Sequence, residues 1–293
     1  MRKLGPALNA KLAQGVTTLA RAWRLTRNDG VIVAATEHDR DLMRFGTLFK
    51  AALSLRESAL EKELSLSPGH GALSGALRLD SVSEADVRVG LWDQAKVEAF
   101  AFDWTDAASS IALWSGNVAS ITCQGQAFEF SVTGLEPNLN QIIGKVYART
   151  CDALLGDGRC KADLTLPTRS WNSVVTSIPN DRTLIVPKPA SIIVEHWFGG
   201  SCTFKTGPTA RWKTSLAKLE LQQNEVVLAL AQPMPIMAQA GDNILLEVGC
   251  DKAFATCRDR FQNQLNFRGV PTLPGDDAVF SGPRASGNSG GRR

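Results

Sequence analysis

The chain has 293 residues, 44% hydrophobic and 21% charged, a balance ordinary for a folded soluble protein and long enough for two domains or more. No apolar run approaches the roughly 20 residues of a membrane helix, and the opening Met1-Arg-Lys-Leu-Gly-Pro-Ala-Leu-Asn lacks the continuous apolar core of a signal peptide. A formal net charge of +3, with no basic stretch carrying base-stacking aromatics, gives no case for direct nucleic-acid binding.

From the N-terminus, Pro6 opens a short helix running to about Thr17, with Leu8, Leu12 and Val16 at helical spacing. Leu19, Arg21, Trp23 and Leu25 then alternate with their neighbours, Asn28-Asp29-Gly30 supplies a turn, and residues 31–35 return, so 19–36 reads as a hairpin. A further strand follows Gly46. Ser83 is a candidate N-cap for a short helix stopped by Gly90. Strands at 97–104, 111–114 and 128–132 complete a β-rich N-terminal domain over residues 1–145.

A second set of short strands lies at 173–177, 183–186, 192–198, 202–204, 216–221, 225–230 and 243–248, mostly parted by Gly, Pro, Asn or Asp. Gly199-Gly200 reads as a hairpin turn between two of them. Frequent short strands of this kind predict a small β-barrel or sandwich over 165–248. The fold class expected is therefore mainly β, with few short helices. Residues 276–293 are almost free of apolar side chains and are expected to be a disordered tail.

Four of the six cysteines flank that inserted module in two similar, glycine-marked contexts. The first pair lies in Cys151-Asp-Ala-Leu-Leu-Gly-Asp-Gly-Arg-Cys160 and the second in Gly249-Cys250-Asp-Lys-Ala-Phe-Ala-Thr-Cys257-Arg. Together they define a neck of two segments, 146–164 and 249–275. Thiolates are soft ligands suited to zinc or to iron-sulfur clusters. Eight and six intervening residues exceed the two to four usual for zinc, which lowers zinc without removing it, and a cluster tolerates wider spacing because it is larger than one ion. Arg149, Arg159, Lys161, Lys252, Arg258 and Arg260 crowd the pairs in sequence and would favour thiolate over thiol. Disulfides are the third reading and would suit a secreted chain. Cys123 and Cys202 stand in strand-like patterns, where a small buried hydrophobe is expected.

The second pair continues into Arg-Asp-Arg-Phe-Gln-Asn263-Gln-Leu-Asn266-Phe267-Arg-Gly269-Val-Pro-Thr-Leu-Pro274. A cysteine pair followed by Asn and a Phe-x-Gly-x-Pro run resembles the C-terminal signature of tail hub proteins from gene transfer agents and siphophages. More distantly, it resembles the minor tail protein L of phage lambda. The segments 36–42, 83–90 and 147–160 look like further landmarks of that family in the same order. The resemblance implies a structural hub of the tail tip or baseplate, made in the bacterial cytoplasm and carried in a virion or gene-transfer-agent particle. It implies a homotrimer that contacts a distal tail protein, a tip or fibre-bearing protein and a tail peptidase. It also implies an iron-sulfur cluster on Cys151, Cys160, Cys250 and Cys257, with [4Fe-4S] expected ahead of [2Fe-2S] and zinc behind both.

Enzymatic chemistry has little support in the residues. Glu37-His38-Asp39-Arg40-Asp41 is the one polar cluster with a catalytic look, and it reads better as a hydrogen-bonded turn leaving a strand. Asp39 and Asp41 lack the glycine and distal glutamate of a calcium loop. No Gly-x-Ser-x-Gly, phosphate loop or His-Glu-x-x-His occurs. The competing function is a cluster-bearing or zinc-binding oxidoreductase.

Overall fold

A strand sends successive side chains to opposite faces, and the first half of the chain buries both. In the structure, a computed structural model, residues 6–13, 17–51, 55–57, 70–75, 82–106, 109–124, 127–134 and 144–273 are described. The chain divides into two units, Met1–Ile142 and Ile143–Arg293. The fold is mainly β, as the alternation predicts.

In the first unit, β1 (Leu19–Thr26), β2 (Ile32–Thr36), β3 (Leu42–Arg44), β4 (Thr47–Ala51), β5 (Leu55–Glu57), β6 (His70–Gly75), β7 (Lys96–Asp103), β8 (Ser110–Gln124) and β9 (Ala127–Thr133) form one sheet. Its order is β3-β4-β2-β1-β7-β8-β9-β6-β5. The β1–β2 pair is the predicted hairpin, with Trp23 opposite Ala35 and, on its other side, Ala99 of β7. Two alanines leave room for the indole, and Trp23 is buried with Leu25, Val97, Trp92 and Phe130 on one face. Ala20 and Ala22 bury the opposite face against Phe49, Phe100 and Phe102. Gly30 supplies the turn at φ +87°, while the Asp29 carboxylate accepts the Val31 N–H.

Helix α1 (Pro6–Leu12) ends sooner than its spacing predicts. Leu12 is exposed, so no continuous apolar face carries the helix onward; Val16 lies outside the described residues. Helix α2 (Glu84–Arg88) starts where expected, with Ser83 Oγ accepting the Asp86 N–H at 3.0 Å. Residues 37–41 form the polar turn anticipated for them: His38 Nδ1 accepts the Arg40 N–H at 3.1 Å, and Asp41 accepts that of Ala51 at 2.8 Å.

The second unit holds β10 (Ser170–Val174), β11 (Ser177–Asn180), β12 (Thr183–Pro187), β13 (Ser201–Phe204), β14 (Lys213–Leu221), β15 (Glu225–Leu230) and β16 (Asn243–Glu247). Their order is β10-β16-β13-β14-β15-β12-β11. The sheet curls until its two sides meet, since the Thr176 N–H just after β10 donates to Ile185 of β12 at 2.8 Å. Leu184, Val186, Phe204, Leu216, Leu228, Ile244 and Leu246 fill the interior, and Ala153, Cys160 and Phe261 from the cysteine-bearing segments join the same core.

One predicted strand is absent. Residues 192–198 contain a 3-10 turn, Val194–His196, so Gly199-Gly200 joins that turn to β13 and does not link two strands. Tertiary anchors override the β-branched run: the Trp197 ring meets Trp171 edge-on at 6.0 Å, and the His196 carbonyl accepts both Gly249 N–H and the Arg260 guanidinium. The expected tail at 276–293 lies outside the described residues.

Asp103, fully buried at the end of β7, ties α1 to the sheet. Burial alone would raise its pKa, but donation from Lys11, Thr105 and Thr18 outweighs this and holds the carboxyl well below the usual range. Its stabilising contribution is therefore present above the pKa of an unfolded Asp and is lost as pH falls toward and through the folded value. Asp103→Asn is expected to cost about 2 kcal/mol at neutral pH, as loss of hydrogen bonds to a charged group does. Denaturant titrations should also show a flatter acid limb for the variant than for the parent chain; equal stability at pH 7 would remove this anchoring role.

Candidate metal centre

The first cysteine loop is organised by Asp157. Its carboxylate accepts main-chain N–H groups from Leu154 at 3.0 Å, Arg159 at 2.9 Å and Cys160 at 2.6 Å. The Cys160 N–H is foremost in holding the Asp157 pKa below its usual range. Gly156 at φ +79° and Lys161 at φ +57° turn the chain on either side of Cys160. Such a conformation is costly for lysine and recurs at functional sites.

The second pair straddles a turn and a helix. Cys250 follows β16, Lys252 sits at φ +65°, and Cys257 lies in α3 (Phe254–Asp259). Asp251 secures the helix entry by accepting from Ala253 N–H at 2.9 Å and Thr256 Oγ1 at 2.8 Å. Phe254, the first residue of α3, meets Phe267 edge-on at 5.1 Å, and the Arg169 and Arg260 guanidinium groups flank the Phe261 ring at 5.3 Å and 4.9 Å.

Main-chain contact then joins the two segments. The Cys151 N–H donates to Lys252 at 2.9 Å, Val270 N–H to Ala148 at 2.8 Å, and Lys252 Nζ to the Ala153 carbonyl at 2.5 Å. Asn263 bridges both segments, its side chain donating to the Cys160 carbonyl at 2.6 Å and its N–H to that of Cys257 at 2.9 Å. Gly269 makes this approach possible, and Gly249 a second one, to the turn before β13. A Cβ on Gly269 would stand 2.6 Å from the Thr150 carbonyl oxygen, and one on Gly249 only 1.9 Å from that of Phe198.

The outcome is one small cavity walled by Cys151, Cys160, Cys250 and Cys257 together, with Lys252, Phe261 and Asn263. Its volume is about 20 Å³, slightly more than one water needs. Cys160 and Cys257 are buried, Cys151 and Cys250 half-buried, and all four are free thiols, as is Cys202. Burial, together with the charges of Cys151, Cys160 and Cys250, raises the Cys257 pKa. Among the described residues no group of three or more His, Cys, Asp or Glu side chains is arranged to hold a metal ion.

Cys202 stands apart, in the sheet core, where burial pushes its thiol up to about 12. Cys123 falls on β8. The expected basic surround is thinner than the sequence implies: Arg258 pairs with Asp259, Arg159 with Asp152, and Arg149 donates to the Leu273 carbonyl. Lys252 lines the cavity, while Arg260 lines with Cys250 a larger neighbouring hollow of about 510 Å³. Sequence spacing missed Asp157 and Asn263 as builders of the site. An Asp three residues before Cys160 is a recognisable turn signal, whereas the reach of Asn263 across the fold leaves no local trace.

The sequence and fold match proteins of phage-like particles. Residues 5–163 match the family described as "Baseplate hub protein, N-terminal attachment domain", and residues 195–277 match "Phage conserved hypothetical protein BR0599". The first match spans more than half of the chain, and the chain belongs to the baseplate hub family. No curated protein gives a significant match. Among solved structures, the fold is similar to a chain in "Virion of native gene transfer agent (GTA) particle", with 33% identity, 99% of each chain covered and a TM-score of 0.86.

The close approach at Gly249 makes a direct test of the local architecture. Gly249→Ala should destabilise the second unit by about 2 kcal/mol, the typical cost of forcing extra volume into packed structure. Gly144→Ala, where a Cβ meets nothing within 4 Å, should change thermal stability little. Equal melting temperatures for the two variants would contradict the packing described.

Proposed function

We propose that this chain is a structural hub of a phage-like tail tip, adapting the distal tail tube to the tip and fibre proteins, with an iron-sulfur cluster on Cys151, Cys160, Cys250 and Cys257. The hub reading is supported by membership of the baseplate hub family and by a likeness to the gene-transfer-agent chain that runs over 99% of both proteins. On this reading the protein is made in the bacterial cytoplasm and works in a virion or gene-transfer-agent particle as a homotrimer. Its neighbours are a distal tail protein, a tip or fibre-bearing protein and a tail peptidase. Its work is geometric and involves no turnover.

The cluster reading is carried by one observation: four thiols from two remote segments wall the same cavity. The donor chemistry fits, because four thiolates bind iron and, left alone, repel one another, as the upward pull of the other three on Cys257 reflects. Bound iron offsets that repulsion. The eight and six residues between the paired cysteines, wider than the two to four usual for zinc, favour the larger [4Fe-4S] cluster over a single ion. When bound, such a group would cross-link the two segments through Cys151, Cys160, Cys250 and Cys257.

Protein purified anaerobically should contain iron and acid-labile sulfide and show broad visible absorbance. Changing any one of the four cysteines to Ala should abolish that absorbance, while the Cys123→Ala, Cys202→Ala double variant should keep it. Zinc at about one ion per chain with no sulfide, as a tetrathiolate zinc site requires, would replace the cluster by a single ion and leave the hub reading standing.

Assembly provides a separate test. Because ligand binding is coupled to folding when ligands come from both ends of a module, Cys250→Ser should yield tails that fail to complete at the tip. Normal particle yield and normal infection or gene-transfer titre from this variant would remove the structural role of the centre.

A further inference from the structure

Asn263 touches both cysteine pairs. Its carboxamide offers two N–H donors and one acceptor. The partners fix which atom is which: the Cys160 carbonyl 2.6 Å away can only accept, so nitrogen faces it, and Asn266 Nδ2 then donates to Asn263 Oδ1 at 2.7 Å. The same nitrogen is 3.6 Å from Cys160 Sγ, the longer separation a sulfur acceptor imposes. On its main-chain side, Asn263 donates its N–H to the Cys257 carbonyl at 2.9 Å and accepts from the Cys257 thiol at 3.3 Å. One residue therefore fixes a thiol from each pair and hydrogen-bonds both sulfurs.

The two sulfurs are treated oppositely. When Cys160 is a thiolate, the amide N–H gains strength as a charge-assisted donor. When Cys257 is a thiolate, its S–H donor is gone, and the Asn263 carbonyl faces the sulfur with no proton between them. We propose that Asn263 is the positioning residue of the thiolate centre: it sets the spacing of Cys160 and Cys257 and, through Nδ2, stabilises negative charge at the Cys160 sulfur. This rests on the reading of the four cysteines as cluster ligands. Hydrogen bonds to ligand sulfurs tune cluster reduction potentials. Because the reduced cluster carries the greater negative charge, a donor at Cys160 raises the potential, and its removal lowers it.

The test uses the full chain reconstituted anaerobically with iron and sulfide, comparing the parent with Asn263→Asp and Asn266→Ala. The aspartate variant keeps the side-chain shape but loses both N–H donors and adds a negative charge that itself lowers the potential, so the neutral Asn266→Ala isolates the hydrogen bond. The alanine variant removes only the partner that orients the amide. Asn263→Asp should retain iron and sulfide while its potential falls by about 59 mV, a tenfold change for a one-electron couple; Asn266→Ala should shift the same way by less. An Asn263→Asp cluster at the parental potential overturns the inference while the cluster reading stands. If Asn263→Asp fails to fold or reconstitute, Asn266→Ala decides, an unchanged potential counting against the proposal and a fall in its favour. A parent chain that takes up no iron and sulfide overturns the cluster reading, and this inference with it.

Discussion

The cysteine-bearing unit depends on one constraint, the return of residues 249–270 onto residues 148–160 at main-chain contact. The hydrogen bonds from Cys151 to Lys252 and from Val270 to Ala148 define that contact, and where Gly269 passes Thr150 there is no room for a side chain. The sheet explains why the return is possible. Residues 161–169 lead into β10 and residue 248 leaves β16, which pairs with β10 in antiparallel register. Both ends of the inserted module therefore emerge side by side. The Val248 N–H completes the arrangement by donating to Arg169 at 3.0 Å, and the Arg169 guanidinium reaches the Phe261 carbonyl at 3.0 Å.

Surroundings divide the cysteines into two kinds. Cys202 alternates inward with Phe204 from β13, and burial among aliphatic side chains keeps its thiol protonated and inert. Cys257 is also buried, and its pKa is raised by that burial first and by the other three thiols in addition. Four thiols brought together are tolerable while protonated and mutually opposed once ionised. On the reading proposed here, positive iron reverses that balance and turns the least comfortable part of the unit into its clasp.

Much of this was legible in the sequence wherever a single physical rule dominated. Alternation located the strands of both units, Asn28-Asp29-Gly30 located a turn, and Ser83 located a helix start, because each signal is local. The repeated context of the cysteine pairs marked the segments that meet. The failures are equally specific. Residues 192–198 carry a strand-like run, yet the bonds of His196 and Trp197 to distant partners bend them into a 3-10 turn. Strands β5 and β6 left no signal, since Gly71, Ser74 and Gly75 interrupt any apolar pattern. Proximity in sequence also overstated the positive charge at the centre, because an arginine beside an aspartate pairs with it first, as Arg258 does with Asp259 at 2.6 Å.

The two units also differ in what their stability answers to. The first is held by a sheet packed on both faces and by the buried carboxylate of Asp103, interactions complete within the chain itself. The second has an ordinary apolar core, but that core extends through Ala153, Cys160 and Phe261 into the walls of the thiol cavity. Anything that binds the folded thiol set and not the unfolded chain stabilises the second unit by mass action, and its loss withdraws that contribution. On the cluster reading proposed above, the second unit of a protein whose proposed work is to hold neighbours in fixed geometry would then be stiffest when made where thiols stay reduced and iron is supplied.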